Sequence, residues 1–212
     1  MVLAVACGLI GRPSGVLADS AGLTMAQAVA LSVCTFAGSS QFAYVSVISG
    51  GGNPVTAVGG ALLLAARNAL YGPVVTPVLR GGLFRRAVAA QFLTDETTAM
   101  ASAQDQPDTA RDAFWFTGLA IMSLWVAGTV AGVLLGGSLE DPGAWGLDAA
   151  FPAAFVALLV PHVVTRAGKV TALIGAVIAL VAVPTTPAGA PILLAALAVG
   201  PGMAVAARRR SL

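Results

Sequence analysis

The sequence predicts an all-α, polytopic membrane helix bundle of about seven spans with at least one broken helix. Three observations predict it. Of 212 residues, 58% are hydrophobic and 9% charged, where a soluble domain carries about a quarter charged. No charged residue occurs between Asp19 and Arg67, and other uncharged windows also reach the roughly 20 residues that a span requires. Within that apolar stretch stands a polar knot, FAGSSQF (Phe36–Phe42). Gln41 and its serines would be costly if left unpaired in hydrocarbon, so they must face protein, water or a ligand. Gly38 lacks a Cβ and Ser39 can bond to the backbone, so the helix is expected to loosen near Gly38–Ser40. An unwound point at mid-membrane is where secondary transporters hold their substrates.

The whole chain, 1–212, reads as one integral membrane domain. The first span is about Val2–Ala18 and the second about Met25–Ile48, followed by the turn GGGNP (Gly50–Pro54). The third is about Pro54–Leu79. A polar region then runs from Arg80 to Asp112, with a helix expected over Phe84–Ala103, either interfacial or re-entrant. The fourth span is about Ala113–Gly136 and ends at EDPG (Glu140–Gly143); the fifth is about Ala149–Thr165. A short sixth, about Val170–Val183, stops at the breaker run PTTPAGAP (Pro184–Pro191). The seventh, about Ile192–Ala207, meets the basic tail Arg208–Arg210. Arg80, Arg85, Arg86, Arg111, Arg166, Lys169 and the tail all fall on one side of this arrangement, and the opposite loops carry no Lys or Arg. That asymmetry places the C-terminus in the cytoplasm.

Several classes are excluded. The net charge is +2 and the arginines are dispersed, which is no nucleic-acid footprint. His162 is the single histidine, so no Cys/His spacing suggests a metal site, and no cofactor is expected. Ser39 and Ser40 have no base within reach except the distant His162, which argues against an intramembrane hydrolase. Cys7 and Cys34 read as small core hydrophobes.

Arg67 lies deep in the third span, within AARNALYGP (Ala65–Pro73). A guanidinium at that depth needs a partner or water, so it is either structural glue or part of a transport path. Asn68 and Tyr71 are its local companions, and Tyr71, four residues on, shares its helix face. In Thr94-Asp95-Glu96-Thr97, Thr94 is placed to cap a helix whose first turn holds the acids. The rival reading sets Asp95 or Glu96 against Arg67 or on a proton path. Asp148 opens the fifth span, in GLDAAFPAAF (Gly146–Phe155), either as a helix-dipole partner or as a third proton carrier.

FAGSSQF, ARNALYGP, TDET and GLDAAFPAAF occur in the order and spacing of the AzlC family, which the chain resembles from about Gly15 to about Val199. The resemblance implies a secondary exporter of leucine, isoleucine, valine and often methionine in the bacterial cytoplasmic membrane. It also implies pairing with a small hydrophobic AzlD-type subunit. The family's polar core falls on Ser40, Gln41, Arg67, Tyr71, Asp95, Glu96 and Asp148. Relatives often carry Asn or Asp two residues before the Arg and His just after it, where this chain has Ala65 and Asn68.

A branched amino acid needs an apolar pocket, donors for its carboxylate and acceptors for its ammonium. Phe36 and Phe42 supply the first, and a half-helix N-terminus at Ser39–Gln41 the second. The alternative class is a noncatalytic assembly subunit whose polar residues fasten helices across an interface. Convergence of the motifs on one cavity within this chain separates the two.

Overall fold

The computed structural model describes residues 1–79, 81–137 and 163–208, with isolated positions 153, 156, 159 and 160. Every element among them is helical. Four stretches are long and apolar enough to cross a bilayer: Val2–Ser20, Pro54–Val75, Pro107–Gly136 and Ala190–Ala207. The expected seven spans are thus met in part. Most of the fifth, with Asp148 and His162, lies outside the described residues, as do Arg80 and the tail beyond Arg208.

The core is the pairing of α1 (Val2–Ser20) with α8 (Pro107–Gly136), and glycine makes it possible. Gly8, Gly11 and Gly15 on α1 meet Gly128 and Gly132 on α8. A Cβ on Gly11 would stand 2.8 Å from the Trp125 carbonyl oxygen, and one on Gly8 2.9 Å from that of Leu124. One on Gly15, Gly128 or Gly132 would run into the facing backbone carbonyl itself. Only bare Cα atoms allow this approach, which yields dispersion contacts where lipid offers no hydrophobic drive. Along α8, Phe114, Ile121, Trp125, Thr129 and Val133 are buried at the three-to-four-residue spacing of one helix face.

The second expected span is broken, as the polar knot implies. α2 (Met25–Thr35) starts at a capping box, with the Gln27 N–H donating to Thr24 Oγ1 at 3.3 Å and the Thr24 N–H to Gln27 Oε1 at 2.8 Å. It stops at Phe36, whose backbone is left-handed with φ 37°. For a bulky aromatic residue that region is strained, and it persists only when packing over-determines it. The chain turns at Phe36–Ala37, two residues ahead of the expected point, and Gly38 already opens α3 (Gly38–Ser49).

α4 (Pro54–Ala65) is capped by Asn53, which accepts from the Thr56 N–H at 3.0 Å. It tightens into a 3₁₀ segment over Ala66–Tyr71, then α5 (Gly72–Val75). The single helix expected over Phe84–Ala103 is in fact two, α6 (Leu83–Gln91) and α7 (Asp95–Ser102). The division has a local cause. Thr94 accepts from the Thr97 N–H at 3.3 Å while its own N–H donates to Thr97 Oγ1 at 2.9 Å, so a new helix starts there. Beyond the undescribed stretch, α9 (Arg166–Ala182), α10 (Ala190–Ala195) and α11 (Val199–Arg208) complete the chain. α9 has 17 residues and begins at the Thr165 cap, which accepts from the Gly168 N–H at 2.9 Å.

Candidate functional site

The break in the second span is held from three sides. Gln91 of α6 donates to the carbonyls of Val33 at 2.7 Å and Cys34 at 3.0 Å, satisfying acceptors that the end of α2 leaves free. The Phe36 ring sits edge-on to Phe92 with centroids 5.6 Å apart, which fixes the left-handed residue by its side chain. Beneath the break, Gln41 is fully buried. Its Nε2 donates to Ser32 Oγ at 2.7 Å, and its Oε1 accepts from Trp125 Nε1 at 2.8 Å. Ser32 Oγ in turn lies 3.0 Å from Thr129 Oγ1, which donates to the Trp125 carbonyl at 3.0 Å. This chain of bonds joins α2, α3 and α8. Each member has a partner, so polarity in the core becomes glue rather than a penalty.

Above this network a cavity of about 300 Å³ opens at the start of α3. Its lining includes the apolar side chains of Cys7, Ile10, Phe36, Phe42, Ile121 and Trp125. It also includes the polar side chains of Arg67, Asn68, Thr94, Asp95 and Glu96. Ala37, Gly38 and Ser39 bring the first turn of α3 to the edge, with no side-chain cap on its N–H groups. Gly38 has a steric reason to be glycine, since a Cβ there would lie 2.7 Å from the Trp125 ring. Arg67 Nη2 is 3.6 Å from Asp95 Oδ1, and the two side chains are 30% and 43% exposed. That separation is longer than a direct hydrogen bond and both side chains keep accessible surface, so neither group is consumed by the other. Ser39 Oγ, Arg67 Nε and Asn68 Oδ1 are buried without hydrogen-bond partners. They belong to three residues that line the cavity, so polar capacity close to it is left unused by the protein's own groups.

Of the residues singled out by sequence, Ser39, Arg67, Asn68, Asp95 and Glu96 are brought together. Ser40, Gln41 and Tyr71 do not line the cavity. Gln41 spends its amide on the network below, and Ser40 is buried with its Oγ unpaired. Tyr71 misses because the segment is 3₁₀: at about three residues per turn, a residue four positions on lies roughly 120° round from Arg67. Asp148 lies outside the described residues. Trp125, Gln91, Ser32 and Thr129 carried no sequence signal of their own; each matters through a partner distant in the chain. Among the described residues, no group of three or more metal-binding side chains occurs.

The sequence profile of one family, described as AzlC protein, matches residues 2–139. The matched part holds the entire cavity and every bond of the network beneath it. The chain belongs to the AzlC family. This family is associated with membrane transport rather than with enzymatic catalysis. An uncharacterized membrane protein of Archaeoglobus fulgidus is 32% identical over 127 residues, 59% of this chain and 54% of that protein. An uncharacterized membrane protein of Helicobacter pylori is 26% identical over 175 residues, 82% of this chain and 76% of that protein. The chain thus spans about half the length of the archaeal relative. No solved structure matches it significantly.

Proposed function

We propose that this AzlC-family chain is the transport subunit of an exporter of branched-chain amino acids in the bacterial cytoplasmic membrane. What carries the reading is the mixed lining of the cavity at the helix break, where aromatic and aliphatic side chains share one space with Arg67, Asn68, Asp95 and Glu96. An amino acid zwitterion has matching parts. Its carboxylate meets Arg67, the Ser39 hydroxyl and the uncapped first turn of α3, where N–H groups and the helix dipole favour an anion. Its ammonium meets Asp95, Glu96 and Asn68 Oδ1. Its branched side chain lies against Phe36, Phe42, Ile121 and Trp125. The substrate arginine contact does not require breaking a tight ion pair, because Arg67 and Asp95 are 3.6 Å apart.

The rival reading is an assembly subunit, whose polar residues would point outward to fasten a partner. The gathering of three separated motifs around one internal cavity favours transport over it. Coupling to protons through Asp95, Glu96 or Asp148 is part of the proposal, as are a small AzlD-type partner subunit and a cytoplasmic C-terminus. The test is efflux of preloaded leucine from cells expressing the chain with and without its small hydrophobic partner. Efflux by the pair that vanishes in Arg67→Gln supports the proposal. Efflux by the pair that is unchanged in Arg67→Gln contradicts it.

A further inference from the structure

We propose that the cleft beside α6 binds an anionic phospholipid, with an acyl chain in the cleft and the headgroup phosphate against Arg85 and Arg86. The inference stands apart from the substrate cavity and does not rest on the proposed function.

α6 begins Leu83-Phe84-Arg85-Arg86. Leu83 is 85% exposed and Phe84 84%, an arrangement that is costly in water and favourable where hydrocarbon meets headgroups. Between α6 and the segment from Gly72 to Leu79 lies a cleft of about 420 Å³. Val75, Leu79, Leu83, Ala87 and Ala90 make its walls apolar, and Arg86 lines it as well. Among the described residues neither Arg85 nor Arg86 joins an ion pair, and no acid occupies the first turn of α6. Apolar walls thus continue into the Arg86 guanidinium, and Arg85, outside the lining, is its neighbour in the first turn of α6.

That sequence of surfaces matches one class of occupant. An acyl chain fills the walls, and a phosphate accepts from the planar guanidinium groups that suit it. A free phosphate would leave the apolar walls unused. A zwitterionic lipid brings a cationic headgroup group that finds no carboxylate lining the cleft. Basic side chains at a membrane surface favour anionic lipids for the same reason. The far end of α6 gives the occupant a consequence. Gln91 holds the Val33 and Cys34 carbonyls, and the adjoining Phe92 holds Phe36. A lipid that anchors α6 therefore steadies the break in the second span.

The experiment uses the full chain, purified in a neutral detergent. Retention of phosphatidylglycerol and of phosphatidylcholine is read by native mass spectrometry, and unfolding temperature is followed as each lipid is titrated. The expected result is preferential retention of phosphatidylglycerol with a rise in unfolding temperature. Each arginine removed should weaken binding about fivefold, so Arg85→Gln with Arg86→Gln costs roughly 25-fold. Ala87→Phe, which fills the cleft, should also weaken it while leaving the unfolding temperature in phosphatidylcholine unchanged. Equal retention of the two lipids overturns the proposal. So does undiminished phosphatidylglycerol binding in the charge-removed or cleft-filled protein. Full displacement by inorganic phosphate would identify a free-anion site and also overturn it.

Discussion

Replacing Gln41 by Leu conserves side-chain bulk and removes both of its hydrogen bonds. In the native protein these measure 2.7 Å to Ser32 and 2.8 Å from Trp125. The substitution leaves Trp125 Nε1–H buried with no acceptor, whereas Ser32 keeps Thr129 at 3.0 Å. One orphaned buried donor costs about 1–3 kcal/mol. Trp125→Phe imposes the complementary loss, leaving Gln41 Oε1 unpaired, again about 1–3 kcal/mol. Combining the two removes both halves of the same bond, so neither orphan remains. The double variant should therefore be more stable than the sum of the single losses predicts, by about 1 kcal/mol. Interhelical hydrogen bonds in membranes average about 0.6 kcal/mol with a maximum near 1.7, so this value lies within the known range. The assay is denaturant unfolding of the detergent-purified protein, followed by far-UV circular dichroism for all four members of the cycle. Losses that add to within about 0.3–0.5 kcal/mol would refute the claim that these residues form one unit.

Gly128→Ala should destabilise by about 1–3 kcal/mol or more, because the new Cβ meets the Gly8 carbonyl across α1 and α8. Gly200→Ala, with nothing within 4 Å of the added carbon, should be neutral or gain up to about 1 kcal/mol. Thermal unfolding of the two variants checks the contrast. Gln91→Ala releases the Val33 and Cys34 carbonyls and should cost about 1 kcal/mol, with faster amide hydrogen exchange confined to Thr35–Ser40. Asp95→Asn, Glu96→Gln and Asp148→Asn remove titration while keeping side-chain shape. At least one should flatten the pH dependence of leucine efflux, and unchanged pH dependence in all three would remove proton coupling from the account.

What the sequence made legible were the features with a large local cost. A charge-free stretch holding a Gln and two serines had to contain an inward-facing break, and Gln41 is buried beside one. A deep Arg67 had to meet a carboxylate or water, and it stands 3.6 Å from Asp95 with both side chains partly exposed. The Thr94 cap followed from side-chain chemistry within four residues. What stayed hidden depended on distant partners or on backbone detail. Nothing local marks Trp125 as the donor to a glutamine 84 positions away, or Gln91 as the residue that satisfies carbonyls 57 and 58 positions back. Arg67 and Tyr71 do not share a face because their segment is 3₁₀, and periodicity alone does not distinguish that turn from an α-helical one. The turn fell at Phe36 rather than Gly38 because the aromatic contact with Phe92 outweighs the backbone preference that favours glycine.

The central claim is that the cavity at the helix break receives a zwitterionic branched amino acid, and Cys7 offers a direct view of it. Cys7 lines the cavity, whereas the other described cysteine, Cys34, is exposed at the end of α2. In a Cys34→Ser background, the rate at which a small alkylating reagent modifies Cys7 reports whether the cavity is filled. The measurement compares leucine with 4-methylpentanoate, which lacks the ammonium, and 3-methylbutylamine, which lacks the carboxylate. Saturable protection by leucine, much weaker protection by either analogue, and loss of protection in Arg67→Gln are the predicted results. A Cys7 alkylation rate indifferent to leucine, or equal protection by all three compounds, would contradict the account.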